Sequence, residues 1–339
     1  MAIGTIEPTA AGGAEPERGE VEGRSPWQLF WRRFRQDKLA FMGIGLIVII
    51  GLAALLSPVV AHFVHRSPSD VYISLPGKPN CQVLGPPPYH IPQPKGPSHD
   101  FYFGCGKDSQ DVFIKTLYGA RTSLTVALMA TGLALVVGVV LGLLAGFYRG
   151  KIDTLVSRFT DLVMSMPVLL LALGLGAACS LPPPGSQTAG CLGGIIKPGI
   201  PLVALIIGFF SWPYISRIVR GQVLSLRERE FVEAARAVGA TNRRIMFREI
   251  LPNVVAPILV YTTLIIPNNI LFEAALSFLG VGVPPETPSW GRMLSDASGQ
   301  FTFAWWTMLF PGLFLFLTTL AFNLVGDGLR DALDPRTGR

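Results

Sequence analysis

The residues best suited to chemistry lie in one polar stretch, "FVEAARAVGATNRRIMFREILPN" at 231–253. Long apolar runs flank it on both sides. Glu233 and Arg236 are about one helical turn apart and can bind polar groups of a partner. Ala234 and Ala235 leave a shallow surface that another protein can approach closely. This composition predicts a short helix that contacts a protein partner, and a solvated linker would have a similar composition.

Local signals predict how this stretch folds. The S-x-x-E pattern at 225–228 is typical of a capping box and predicts a helix over 226–238. Gly239 suits the left-handed position that ends a helix. Thr241 can cap a second short helix, which is predicted to stop near Pro252. The stretch is therefore predicted as helix, sharp turn and helix.

The sequence contains no arrangement typical of an enzyme. It has no G-x-x-x-x-G-K-[ST] phosphate loop, so the chain itself is not expected to bind ATP. It has no G-x-S-x-G or H-E-x-x-H motif and no plausible nucleophile–base pair. No C-x-x-C occurs, and the histidines lack the spacing of metal ligands. We therefore expect a non-catalytic chain without a metal or cofactor of its own.

The composition predicts a membrane protein. Of 339 residues, 50% are hydrophobic and 15% are charged, whereas soluble domains carry about a quarter charged residues. Six apolar runs of membrane-spanning length predict an all-α, polytopic fold. The net charge of +6 is concentrated between these runs, which favours a role in topology over nucleic-acid binding. The predicted spans are 39–63, 117–148, 155–179, 199–216, 254–283 and 303–326.

Basic residues predict the orientation of these spans. Arg32, Arg33, Arg35 and Lys38 precede the first span, and the segment 217–250 holds eight arginines against four glutamates. Because cytoplasmic loops are enriched in Lys and Arg, both termini are predicted to be cytoplasmic. Upstream, an amphipathic, Trp-rich helix over 25–38 is predicted to lie in the membrane interface.

The four cysteines fall in the two predicted outer segments. Cys81 and Cys105 lie in the first, and Cys179 and Cys191 lie in the second. Disulfides persist in oxidising compartments, and four cysteines allow three pairings. Local pairing, Cys81–Cys105 and Cys179–Cys191, closes modest loops and needs no contact between the segments. Four free thiols remain the alternative.

Few polar residues lie within the spans, and Glu273 in the fifth span is the clearest of them. Asn268 and Asn269 come about one turn before Glu273, and Ser277 follows it by four residues. Asn269, Glu273 and Ser277 therefore share one helix face. Polar groups in a membrane are costly, so they are candidates to line a transport path. A structural hydrogen-bond network within the helix bundle is the alternative.

Several motifs together resemble one transporter family. Glu233-Ala234-Ala235, Gly239 and Leu251-Pro252 match the "EAA" cytoplasmic loop of ABC-importer permeases. The stretches "LYGARTSLTVAL", "GLLAGFYRGKIDTLVSRFTDLVMSMPVLLLAL", "FEAALSFLGVGVPPETPSWGRML" and "NLVGDGLRDALDPR" resemble the dipeptide/oligopeptide permease group. The C-terminal "GDGLRDALDPR" is similar to its C-type subunit. The four cysteines and the long Pro-rich outer segment depart from the pattern of this family.

The resemblance implies a fold and a set of partners. It implies a type I ABC-importer permease with six transmembrane helices in the bacterial plasma membrane. The loop at 217–253, with Arg236 among its contact residues, would form a coupling helix that docks on an ATPase. Partners would be a homologous B-type permease, two ABC ATPase domains that hold ATP and Mg, an extracytoplasmic binding protein, the lipid bilayer and a peptide substrate. No nucleic acid is expected.

The composition of the chain and its family resemblance together predict its segments and its possible functions. The same family also serves nickel, glutathione and other small solutes. A secondary transporter and a non-transporting membrane scaffold are the alternatives from other classes. The predicted segments are a disordered cytoplasmic tail at 1–24, the interfacial helix at 25–38, the first transmembrane helix at 39–63, a large Pro-rich extracytoplasmic loop at 64–116, the transmembrane permease core at 117–326 and a cytoplasmic tail at 327–339.

Overall fold

The computed structural model describes residues 26–73, 80–84, 92–180, 190–191 and 195–333. The predicted tail at 1–24 and residues 334–339 lie outside this part of the chain. Regular structure within it is almost all helical, because apolar runs can satisfy their backbone hydrogen bonds inside a bilayer only as helices or closed barrels. The elements are α1 (Pro26–Gln36), α2 (Lys38–Leu55), α3 (Ser57–Val64), β1 (Gln82–Leu84), β2 (Pro92–Pro94), α4 (Val112–Tyr148), α5 (Gly150–Ser165), α6 (Val168–Ser180), α7 (Ile200–Leu226), α8 (Glu230–Ala237), α9 (Asn242–Arg244), a π-helical turn (Ile245–Ile250), α10 (Leu251–Phe278), α11 (Trp290–Ala297) and α12 (Trp306–Leu333).

Five helical segments are long and apolar enough to cross a membrane, and a sixth is broken. The sixth consists of α5 and α6, which are bent by 84°. The span predicted over 155–179 is therefore interrupted by a sharp bend. Met166 is extended, with φ −84° and ψ 144°, as the residue before a proline prefers to be. Pro167 thus ends α5 and redirects the chain into α6.

The contact between α4 and α7 is the centre of the core. Gly138, Gly142 and Gly146 recur every four residues along one face of α4. A Cβ atom added at Gly142 would lie 2.7 Å from the carbonyl oxygen of Ser216 and 2.8 Å from Cβ of Val219. Similar close contacts occur at the other two glycines. The two backbones can approach this closely only because the glycines lack side chains, as in other small-residue helix contacts in membranes.

α12 holds the N-terminal helices against the core. It packs against α2 and α10 along its length. A Cβ atom at Gly328 would lie 2.4 Å from Cβ of Ala40, so the helix ends meet closely. This contact explains why α12 continues to Leu333, beyond the predicted boundary at 326. Phe34 of α1 is buried beside Ala40 and Ala332, so the interfacial helix packs partly on protein.

The outer segment predicted as irregular over 64–116 contains regular structure. β1 and β2 pair antiparallel, with Gln82 opposite Pro94. α4 begins at Val112, five residues before the predicted start of the second span, because the Asp111 side chain caps it by accepting a hydrogen bond from the Phe113 N–H. The outer loop is therefore shorter than predicted.

The α4–α7 contact predicts the effect of one substitution. Gly142→Val would force side-chain atoms into the backbone of α7, and overpacking of this kind costs about 1–3 kcal/mol. We expect lower yield and a lower melting temperature in detergent, measured by fluorescence-detected gel filtration after heating. Gly132→Val is the matched control, because nothing lies within 4 Å of a Cβ at that position of the same helix. Equal stability of the two variants would contradict the packing argument.

Candidate coupling surface and transport path

The polar stretch after α7 folds differently from its predicted start. α7 continues to Leu226, and Ser225 lies in its last turn. Val223 is fully buried in the main core, so α7 stays helical past the predicted cap. The capping box at 225–228 and the helix over 226–238 are therefore wrong. α8 begins at Glu230 after Arg229, which is extended and offers no side-chain cap.

The turn after α8 has the predicted geometry. Gly239 has a φ of +80°, the left-handed conformation that glycine adopts readily. The Ala240 N–H donates to the carbonyl of Ala235 at 3.0 Å, which closes the end of the helix. Thr241 accepts a hydrogen bond from the Arg244 N–H, as predicted for a cap.

The helix after the turn does not stop near Pro252. It passes through the π turn directly into α10, in which Pro252 occupies the first turn. Proline is tolerated there because its missing N–H needs no partner. The polar stretch is thus joined rigidly to the fifth span rather than separated from it by a break.

α8 has one anchoring residue and a free surface. Val232 is fully buried and packs in the main core, which also holds Ile245 and Ile250 of the π turn. The other faces present the residues predicted to contact a partner: Glu233, Ala234 and Arg236 are exposed, and Ala235 is half-buried. Leu251 is half-buried and Pro252 is exposed at the start of α10.

Sequence reasoning missed Val238 as a member of this surface. Its side chain is 84% exposed directly before Gly239. The signal was available, since an apolar residue beside a left-handed glycine at the end of a polar helix has nowhere to be buried locally. An exposed apolar side chain of this kind favours contact with another protein.

Two arginines connect the α8 region to the end of α4. Arg227 donates a hydrogen bond to the carbonyl of Phe147. The guanidinium of Arg236 lies 6.0 Å from the centroid of the Phe147 ring, within the range of a cation–π contact. Arg149 and Glu228 form an ion pair nearby. Movement of α8 is therefore linked to α4 as well as to α7 and α10.

Ion pairs join the broken span to α7. The Arg220 guanidinium donates to both carboxylate oxygens of Asp153, at 2.5 and 2.8 Å. Asp161 pairs with Arg217, so it is bound across helices and not by Arg158 of its own helix. Exposed pairs contribute about 0–1 kcal/mol, and the bidentate, half-buried pair is the stronger of the two. These contacts fix α5 against α7 on one side of the bend.

The polar residues of α10 divide into a buried set and one exposed member. Asn269 is 2% exposed, accepts from Ser211 at 2.8 Å and donates to Thr131 at 2.8 Å. Glu273 is fully buried and accepts from Ser277 at 2.7 Å. Asn268 is exposed and donates to the Leu264 carbonyl. Three of the four predicted path residues are thus buried within their own chain, and Asn268 is exposed.

The Glu273 carboxyl group lies in a cluster of serines from three elements. Ser277 on α10 binds it directly, and the hydroxyls of Ser123 and Ser289 are close. Ser123 also accepts from the Trp290 N–H at 3.3 Å, and Ser289 caps α11. Within the described residues, Oε2 of Glu273 has no hydrogen-bond partner. The cluster ties α10 to α4 and α11.

The outer segment is fastened to both α4 and α12. Arg66 forms an ion pair of 2.6 Å with Asp111, and both side chains are largely buried. The Arg66 guanidinium also lies 4.5 Å from the centroid of the Phe101 ring. Trp306 of α12 donates its indole N–H to the Cys105 carbonyl at 3.0 Å. Disulfides join Cys81 to Cys105 and Cys179 to Cys191.

One tyrosine in this outer segment is held neutral. Burial raises the pKa of Tyr72 to about 12, and the nearby Asp70 carboxylate acts in the same direction. The Tyr72 ring packs edge-on against Phe101, 5.5 Å between centroids. The segment therefore has a small core of its own, formed by Tyr72, Cys81, Phe101 and Cys105.

Comparison with known families identifies the class of protein. Residues 138–339 match the family described as "Binding-protein-dependent transport system inner membrane component". Residues 25–76 match the "N-terminal TM domain of oligopeptide transport permease C". The chain belongs to the family of inner-membrane components of binding-protein-dependent transport systems. As predicted from its motifs, it is a multi-span ABC-importer permease, which implies a bacterial inner membrane.

Several relatives are similar over nearly their whole length. The chain is 36% identical to the dipeptide transport system permease protein DppC of Alkalihalophilus pseudofirmus, over 95% of this chain and 93% of the relative. It is 34% identical to the oligopeptide transport system permease protein OppC of Bacillus subtilis, over 98% and 96%. It is 36% identical to the glutathione transport system permease protein GsiD of Escherichia coli, over 92% and 91%.

A solved structure supports the fold. The chain is similar to a structure described as an inward-facing conformation of the MetNI methionine ABC transporter, with a TM-score of 0.51 and 19% identity. The match covers 64% of this chain and 94% of that chain. The predicted type I permease fold is confirmed at the level of the helical core.

Substitution of Glu273 separates a structural role from a role in the path. Glu273→Gln keeps the size and the acceptor for Ser277, so we expect near-normal stability and transport. Glu273→Ala removes that acceptor and leaves buried hydroxyls without a partner, which costs about 1–3 kcal/mol. Thermal unfolding in detergent and uptake in reconstituted vesicles are the measurements. If Glu273→Gln folds normally but abolishes uptake, the carboxylate itself acts in transport.

Proposed function

We propose that this chain is the C-type permease subunit of an ATP-driven importer that moves di- and oligopeptides from an extracytoplasmic binding protein into the cytoplasm. The relatives named as dipeptide and oligopeptide permeases support the substrate class. The observation that carries the proposal is the surface of α8. It exposes Glu233, Ala234 and Arg236, while Val232 anchors the helix in the main core.

The contacts of α8 give it a means to transmit force. An ATPase docked on the free surface would push on a helix whose buried Val232 packs with the core of α7 and the π turn. Arg227 and Arg236 carry the same movement to Phe147 at the end of α4. The chain contributes no cofactor. The ATP and Mg belong to two partner ATPase domains.

The transport path lies on the surface that this chain shares with a homologous B-type permease. Asn268 is the candidate for direct contact, because it is exposed on α10 with polar atoms at the depth of the span. Asn269, Glu273 and Ser277 support the wall of the path from inside the subunit. The buried network keeps α10 in register with α4 and α7.

The orientation places the two working surfaces on opposite sides of the plasma membrane. Both termini and α8 face the cytoplasm, where the segment 217–250 carries its excess of arginine. The segment cross-linked by the Cys81–Cys105 disulfide faces outward and contributes to the surface that binds the extracytoplasmic binding protein. Glutathione is a second candidate substrate, favoured by the similarity to a glutathione permease at the same identity.

Charge reversal at α8 tests the coupling proposal. Glu233→Arg should abolish retention of a co-expressed ATPase in detergent, or its substrate-stimulated hydrolysis, because a carboxylate on the docking surface becomes a cation. Membrane insertion should be normal, since Glu233 is exposed. Glu286→Arg is the control, an exposed glutamate outside this loop. If the wild type retains no ATPase under any nucleotide condition, the secondary-transporter and scaffold alternatives take precedence.

Removal of the outer disulfide tests the docking of a binding protein. Cys81→Ser/Cys105→Ser removes a disulfide between residues 24 apart in the sequence. A disulfide that closes a loop of this length stabilises the folded state by about 3 kcal/mol. We expect basal ATPase activity to be unchanged and stimulation by the binding protein to fall several-fold. Non-reducing peptide mapping establishes the bond in the wild type. Two free thiols there, or full stimulation of the variant, would contradict this role.

A further inference from the structure

An open groove lies along the segment that joins α8 to α10, on residues to which the import proposal assigns no contact. Its lining consists of Thr241, Arg243, Arg244, Phe247 and Arg248, and its volume is about 400 Å³. All five side chains are exposed. None of the three arginines forms an ion pair within the described part of the chain. The groove thus presents three cations without a neutralising anion.

α9 and the π turn that follows it carry these arginines. In a regular α-helix, residues five apart lie about 140° apart around the axis, because each residue turns by about 100°. The i→i+5 bonding of the π turn at Ile245–Ile250 brings residues five apart closer to one face. Arg248 lies within this turn and Arg243 lies in α9 directly before it, and both line the groove. Ile245 and Ile250 are fully buried and hold the turn in place.

The groove lies at the end of a membrane-spanning helix. The segment Asn242–Phe278 is one candidate span. Beyond Arg248 it exposes apolar side chains, including Val255 and Leu259, which are 42% and 53% exposed. Phe247 is half-exposed and lines the groove beside the arginines. Cations that end an exposed apolar helix face lie at the level of the lipid phosphates.

We propose that this groove binds the phosphate of an anionic phospholipid in the leaflet nearest to α8. Guanidinium groups bind phosphate oxygens through paired N–H donors, and three of them neutralise a group with several acceptors. Soluble phosphate could accept the same hydrogen bonds, but it has no acyl chain to contact Phe247 or the apolar surface of α10. The lipid therefore fits the whole site. Its bound headgroup would brace the junction between α8 and α10.

The test measures lipid binding to the purified full-length chain by native mass spectrometry. Phosphatidylglycerol and phosphatidylcholine are titrated against the wild type and Arg243→Gln/Arg248→Gln. The matched control is Lys151→Gln/Arg158→Gln, which removes two exposed cations that line a different groove. We expect the wild type and the control to bind phosphatidylglycerol at least tenfold more tightly than phosphatidylcholine. The groove variant should lose that preference.

Three outcomes would overturn the proposal. The first is an unchanged preference for phosphatidylglycerol in the groove variant. The second is displacement of the lipid by millimolar inorganic phosphate, which would identify a soluble anion as the ligand. The third is loss of ATPase retention with unchanged lipid binding, which would assign the arginines to an acidic ATPase surface. ATPase retention by the wild type is measured separately, so failure of the import proposal remains distinguishable from failure here.

Discussion

The close approach of α4 and α7 is the contact on which the other parts of this permease depend. In a membrane, burial of apolar side chains gives little preference for one helix contact over another, since lipid is equally apolar. Gly138, Gly142 and Gly146 supply the alternative, which is van der Waals contact between backbones. α10 then packs on this pair and is bound to it by the amide of Asn269, which reaches one hydroxyl on each helix.

The packing of α8 on that pair fixes the position of this helix. Val232 is buried in the same cluster as Val219 and Val223 of α7. The helix is short, at eight residues, and would be marginal alone in water. Its position is thus fixed by tertiary packing on one side and left free on the other. A partner that docks on the free side meets a helix that cannot move without moving the core.

The sequence predicted what depends on local composition and missed what depends on distant contacts. Five of the predicted spans, the left-handed Gly239 and the Thr241 cap follow from local rules and agree with the structure. The capping box at 225–228 failed because the buried Val223 keeps α7 helical through Ser225. The span predicted over 155–179 is bent by 84° at Pro167, where a proline interrupts the helix. The burial of Glu273 and the exposure of Asn268 depend on which helices pack against α10, and the sequence alone does not specify those neighbours.

α4 connects the two ends of the molecule. Its 37 residues span about 55 Å at 1.5 Å per residue, more than the thickness of a bilayer. At its start, Asp111 both caps the helix and binds Arg66 of the outer segment. At its end, Phe147 contacts Arg227 and Arg236 in the region of α8. α4 is therefore held at both ends, whereas the chain that follows it is bent by 84° between α5 and α6.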